Sequence, residues 1–199
     1  MTTRRPRGAS ARTPVRRQEI VRAGLAVFSS SGFHGASLRD IAGRAGLSQA
    51  GLLHHYASKA DLLKAVLAWR DDGSRQQLGE PPPEGLDLIR RLVARPASAQ
   101  ILELVRLHVI ISAEAVAAGH PVHGYVRERQ ASVLDTVRQA FERAAARGEL
   151  RPGVDCAASA RALVALMDGL QVQWLLRPDQ ADITGDVRRC LQPLLTVEL

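Results

Sequence analysis

A chain of 199 residues, 46% of them hydrophobic, can bury a core without covalent staples, and its two cysteines, Cys156 and Cys190, suit a reducing cytoplasm better than a long-range disulfide. No apolar run approaches the roughly 18 residues of a membrane span, and the basic N-terminus lacks the apolar core of a signal peptide, so a cytoplasmic protein is expected. The net charge of +7 is unevenly spread: residues 1–70 carry ten Arg and two Lys against Glu19, Asp40 and Asp61, while residues 71–199 carry fifteen Arg against seventeen acids, so one end faces a polyanion, either nucleic acid or an anionic membrane surface.

Residues 1–16 are rich in Arg, Pro, Gly, Ser and Thr and read as a disordered arm that lies along phosphates or simply stays solvated. From Arg17 to Ser30 the residues Ile20, Ala23, Gly24, Val27 and Phe28 mark one apolar face of a helix, which Gly32 ends. Three short helices follow at about 37–44, 48–54 and 58–72, each opened by a serine: Ser37 precedes Asp40, Ser58 precedes Asp61, and Ser48 follows the turn Ala45-Gly46-Leu47. The polar, proline-rich stretch DDGSRQQLGEPPPEG makes residues 72–84 a connection. Beyond it, helical patterns cover residues 85–95, 98–118, 122–147, 155–177 and 182–195. Arg95-Pro96, Gly119-His120-Pro121, Gly148 to Gly153 and Arg177-Pro178-Asp179 separate them, strand signals are nearly absent, and the fold class is all-α.

The adjacent pair His54 and His55 does not make a metal site, because neighbours on a helix point about 100° apart and ligands converge only at i,i+3 or i,i+4. His120 and His123 have better spacing but no cysteine or carboxylate beside them, and read as surface histidines at a helix start. His108 lies in the apolar helix ELVRLHVIIS and reads as a core or pocket histidine rather than a general base. With no phosphate loop, nucleophile elbow or paired carboxylates, no catalytic residue, metal or cofactor is assigned.

DNA recognition explains the same region better. The helices over 37–44 and 48–54, joined by a turn at Gly46, have helix-turn-helix spacing, with Ile41, Ala42, Ala45, Leu47 and Leu52 closing a small core. The first turn of the second helix then faces the major groove, where Gln49 suits adenine, Ala50 and Gly51 leave room, and His54 approaches the groove. Ser37, Ser48, His55, Tyr56 and Lys59 suit phosphate contacts, and Arg39 reaches either a phosphate or a guanine edge.

The stretch RQEIVRAGLAVFSSSGFHGASLRDIAGRAGLSQAGLLHHYASKADLLKAVL resembles the DNA-binding domain of the TetR family of bacterial transcriptional regulators, through F-x-x-x-G-[FY], D-I-A, A-G-L-S and H-Y-x-S-K. It departs from the family pattern at Ala36, where Thr is usual, and at Leu53, where an aromatic residue is usual. The resemblance implies a helix-turn-helix DNA-binding domain over 17–58 and a larger helical effector-binding and dimerisation domain over 59–199. It implies a homodimer whose last two long helices, about 155–177 and 182–195, form a four-helix bundle with the partner. Ala162, Leu166 and Leu170 fit that seam or, equally, an intramolecular core.

It further implies a repressor released from a palindromic double-stranded operator by a small molecule, with the helix from Lys59 to Asp71 as the link and Trp69 as its marker. Leu104, Leu107, His108, Ile111, Phe141, Met167, Gln171 and Trp174, with Trp69, lie on helices expected to surround a pocket and read as its wall or, equally, as plain core, and their mixture suits a hydrophobic or amphipathic molecule. The competing readings are an activator, a regulator without an effector, and an all-α enzyme with a basic tail.

Overall fold

The computed structural model describes residues 12–94 and 98–199, and among them are nine α-helices, one 3-10 turn and no β-strand. The helices are α1 (Arg12–Gly35), α2 (Leu38–Arg44), α3 (Gln49–His55), α4 (Lys59–Leu78), α5 (Leu86–Val93), α6 (Ala99–Glu114), α7 (His123–Ala146), α8 (Cys156–Leu176) and α9 (Ile183–Leu191), and the turn Gln192–Leu194 follows α9. Both cysteines are free, and among the described residues no helix is long and apolar enough to cross a membrane.

Local chemistry sets the short helices. Ser37, Ser48 and Ser58 each accept a hydrogen bond from the amide three residues on, which satisfies an orphan donor at the start of α2, α3 and α4. At the end of α2 the Gly46 amide donates to the Gly43 carbonyl (3.1 Å) and the Leu47 amide to the Ala42 carbonyl (2.8 Å). This is a Schellman closure, and it puts Gly46 at φ 63°, where a side chain would be strained.

Several boundaries differ from the sequence expectation. Helix α1 begins at Arg12, so residues 12–16 are helical rather than part of an arm. Residues 1–11 and the Arg95-Pro96 break lie outside the described residues. Helix α4 runs through the expected connection to Leu78, because Arg75, Gln76 and Gln77 are good helix formers and Asp72 pairs with Arg75 one turn on. The connection shrinks to the stretch between Gly79 (φ 94°) and Gly85. Helix α6 stops at Glu114, and α9 is cut short at Leu191 ahead of Pro193.

Two apolar cores result. One gathers Ile20, Phe28, Ile41, Leu52, Leu62 and Val66 from α1 to α4, and is closed by Leu107 and Ile111 of α6. The other joins α5, α7, α8 and α9 through Ile89, Phe141, Leu163 and Val187. The helix-turn-helix therefore does not close its own core: a helix of the larger part completes it.

The seam between α1 and α6 is built around a break at Gly32, whose φ of 67° and ψ of −172° interrupt α1. The freed Phe33 amide donates to Glu114 Oε2 at 2.7 Å. A side chain at position 32 would meet the Glu114 carboxylate at 2.4 Å. His120, expected at the surface, is instead buried here, edge-on to Phe33 and His34 and 3.8 Å from Glu114. Burial holds the His120 imidazolium below the ordinary histidine value; Glu114 opposes this and His34 adds to it. His123 bonds the Ala115 carbonyl at 2.8 Å.

Gly32→Ala is expected to destabilise the fold by about 2 kcal/mol or more, from the left-handed strain and the displaced carboxylate together. Thermal unfolding followed by circular dichroism checks this, and an unchanged midpoint would refute the seam. His120 gives a pH test. Because its folded value is lowered, the unfolded chain takes up the proton first, so stability is full above the ordinary histidine range and falls as pH drops through it. His120→Gln is expected to flatten that part of the profile of unfolding midpoint against pH.

Candidate nucleic-acid interface and interior cavity

The helix-turn-helix corner brings the sequence-selected residues together on one end of the molecule. Gln49 and Ala50 open α3 and are exposed, His54 is exposed on its last turn, and Gly51 is half-buried over the Ser48 hydroxyl that caps it. A Cβ at Gly51 would stand 3.3 Å from that hydroxyl, so glycine keeps the cap close. Arg39 and Arg44 of α2 are exposed beside this corner. Leu53 is 38% exposed, so the departure from an aromatic residue leaves an apolar side chain at the surface. His54 and His55 stand with ring centroids 5.8 Å apart at 72°, and among the described residues no cluster suits a metal ion.

Not every expected phosphate contact is a free group. The Ser37 hydroxyl caps α2 by accepting from the Asp40 amide at 3.1 Å. Lys59 donates to the Ala36 carbonyl at 2.9 Å and sits 4.5 Å from the Phe33 ring centroid, so it first clamps the start of α4 to the corner between α1 and α2. An ammonium has three protons, so this bond does not exhaust it. Tyr56 is half-buried with the Arg17 guanidinium 5.8 Å from its ring centroid. Burial raises the Tyr56 hydroxyl above its ordinary value while Arg17 pulls it down, so it stays a neutral donor near neutral pH. Sequence reasoning passed over Arg17, because only the packing of α1 against the end of α3 brings it to Tyr56.

A cavity of about 220 Å³ opens between α4, α6, α7 and α8. Of the expected pocket residues, Trp69, Leu104, His108, Met167 and Gln171 line it. Trp174 lines a second cavity of about 190 Å³, which shares Met167 and Gln171 with the first. Leu107, Ile111 and Phe141 are corrections: they are 0%, 1% and 0% exposed and belong to the two cores rather than to a cavity wall. His108 Nε2 lies 3.1 Å from Asp168 Oδ1, and His108 Nδ1 lies 3.3 Å from the Ser112 hydroxyl.

The most charged part of the wall escaped the sequence reading. Asp71 Oδ1 accepts from Arg70 Nε and Nη2 (3.0 and 2.8 Å) and from Arg129 Nε (2.8 Å), while its Oδ2 accepts from the Tyr125 hydroxyl at 2.6 Å. Arg70 is 7% exposed, and both arginines line the cavity. Burial tends to raise the Asp71 carboxyl, but the Arg70 charge, the Tyr125 hydroxyl and Arg129 outweigh it and hold the group below the usual range. Tyr125 is pushed up to about 12 by burial and by its bond to Asp71. Desolvation and the nearby Arg129 charge lower Arg70, with Asp71 opposing them. One carboxylate thus holds two guanidinium groups and ties α4 to α7.

Residues 20–66 match the family model described as bacterial regulatory proteins, tetR family, and residues 87–192 match that of the BetI-type transcriptional repressor, C-terminal. Over 182 residues the chain is 29% identical to the HTH-type transcriptional regulator TtgR of Pseudomonas putida, which covers 87% of this chain and 86% of that one. The solved structure of a TetR-family transcriptional regulator from Rhodococcus sp. superposes with a TM-score of 0.76 at 22% identity, covering 91% of this chain and 98% of that one. That of a transcriptional regulator from Saccharomonospora viridis in complex with choline gives 0.70 at 19%, covering 92% and 100%. With family models matched along both parts, the chain belongs to the tetR family of bacterial regulatory proteins and is a DNA-binding transcriptional regulator rather than an enzyme.

Proposed function

We propose that the protein is a homodimeric repressor that leaves a palindromic operator when a small molecule enters the cavity beside Trp69. The observation that carries this reading is the double attachment of α4. Its first residue, Lys59, is bonded to the DNA-binding corner, and Trp69 and Arg70 on the same helix form part of the cavity wall. Gln49 reads a base edge, while Arg39, Ser48, His55, Tyr56 and Lys59 position the backbone. A ligand that favours the conformer with the wrong spacing of recognition helices shifts the population away from DNA. Such a protein works in the cytoplasm, with its operator.

The dimer reading rests on α8. Leu170 is buried and Leu166 half-buried within the chain, so of the three expected seam residues Ala162 alone stays exposed and the seam shifts around the helix from the other two. Ala162, Ala165, Gly169, Val172 and Leu176 are exposed at alternating steps of three and four, a narrow stripe of small and apolar side chains suited to a close helix partner. Val172 is 40% and Leu176 76% exposed. The complex of the Saccharomonospora viridis regulator with choline supports small-molecule binding by a protein of this fold.

Selection from a random DNA pool is expected to return an inverted repeat with half-sites about one turn, ~34 to 36 Å, apart. On that site Gln49→Ala should lower affinity about tenfold or more without weakening non-specific binding, as read by titrations at several salt concentrations. Loss of both kinds of binding alike would remove the base-reading role. Val172→Glu should give a monomer by light scattering and lose the tight two-site complex; a dimer that still forms normally would move the interface off α8.

A further inference from the structure

The cavity wall carries a charge imbalance that names a class of ligand, on the reading that this cavity is the effector site. We infer that it takes an amphipathic anion, a carboxylate with an apolar body, whose carboxylate seats on Arg70 and Arg129 and whose body runs past Met167 toward Gln171.

The charged end has two guanidinium groups and one carboxylate. Asp71 is fully engaged: Oδ1 takes three N–H groups and Oδ2 takes the Tyr125 hydroxyl. Donors are left over, since among the described residues Arg70 Nη1 and both Nη groups of Arg129 have no protein acceptor, and both side chains face the cavity. An acceptor that brings its own negative charge satisfies these donors and neutralises the surplus, and a planar carboxylate matches the guanidinium fork. Low local polarity makes this pairing stronger than it would be in water. Among the described residues the one carboxylate that lines the cavity itself, Asp168, is 44% exposed and bonded to His108, so solvent screens it.

Away from this end the wall turns apolar through Leu104, Val133, Val164 and Met167. Gln171 Oε1 is buried there without a partner among the described residues and stands where the second cavity meets the first. A body with a chain or ring long enough to pass Met167 fills both spaces. A quaternary ammonium is disfavoured: Trp69 is the only Trp, Tyr or Phe side chain among the described residues lining the larger cavity, and two arginines repel it.

Three probes of one length separate the cases: decanoate, 1-decanol and decyltrimethylammonium, each below its micelle concentration at pH 7.5. Binding to the full chain is read by tryptophan fluorescence, because the chain's two tryptophans, Trp69 and Trp174, each line one of the cavities. Decanoate is expected to bind about tenfold or more tightly than 1-decanol, with the cation weakest. Arg129→Gln should narrow the gap between decanoate and decanol, and Arg129→Lys should restore most of it. Equal binding of all three, or tightest binding by the cation, would overturn the anion while leaving the cavity as a binding site. Binding by none would overturn the effector reading together with it.

Discussion

The structure depends on the way α6 is shared. Its Leu107 and Ile111 close the core of the DNA-binding corner, its Leu104 and His108 wall the cavity, and its last residue, Glu114, accepts the amide that the break at Gly32 leaves free. A carboxylate accepting a backbone N–H is among the stronger hydrogen bonds available, and here it forms at a half-buried site. The corner therefore cannot shift as an independent unit, because any displacement of α6 moves the floor of its core.

Helix α4 supplies a second connection, and the Asp71 cluster makes it stiff at the cavity end. Holding the buried Arg70 and the half-buried Arg129 against one aspartate is not a source of net stability, since the desolvation penalty rivals the attraction. Its effect is positional: the cluster fixes the rotation of α4 against α7 and leaves guanidinium donors aimed inward. Removing Asp71 alone would strand two like charges, whereas the intact trio is tolerable because Tyr125 and the cavity share the load.

Much of the DNA-binding end was legible because its determinants are local. Three serines three residues ahead of the amides they cap, and one glycine in a Schellman turn, fix α2 to α4 within about twenty residues. The cavity was legible only in part. On α6 the stripe Leu104 and His108 faces the cavity, while Leu107 and Ile111, rotated by about 100° or less, face the core; apolarity alone does not separate them. The Asp71 cluster joins residues 54 and 58 positions apart, and no local pattern in the sequence marks a pairing across that distance. Lys59 was legible as a cation but not as a clamp, because its acceptor is a backbone carbonyl 23 residues earlier.

These two connections bear on how much a ligand must do under the proposed mechanism. Between Lys59 and Arg70 the helix rises about 16 Å, so a tilt of about 5° at the cavity displaces the DNA end by roughly 1.4 Å. Small-looking rotations are therefore enough to misplace a recognition helix. Moving the population from one conformer almost wholly to the other requires about 5.5 kcal/mol of differential affinity. One charge-assisted contact supplies about 1.5–3 kcal/mol of that, so the apolar body of the ligand must supply the rest by burial that only one conformer permits. The charged end then sets which molecules enter, and the apolar walls of α6 and α8 set whether entry is felt at the DNA.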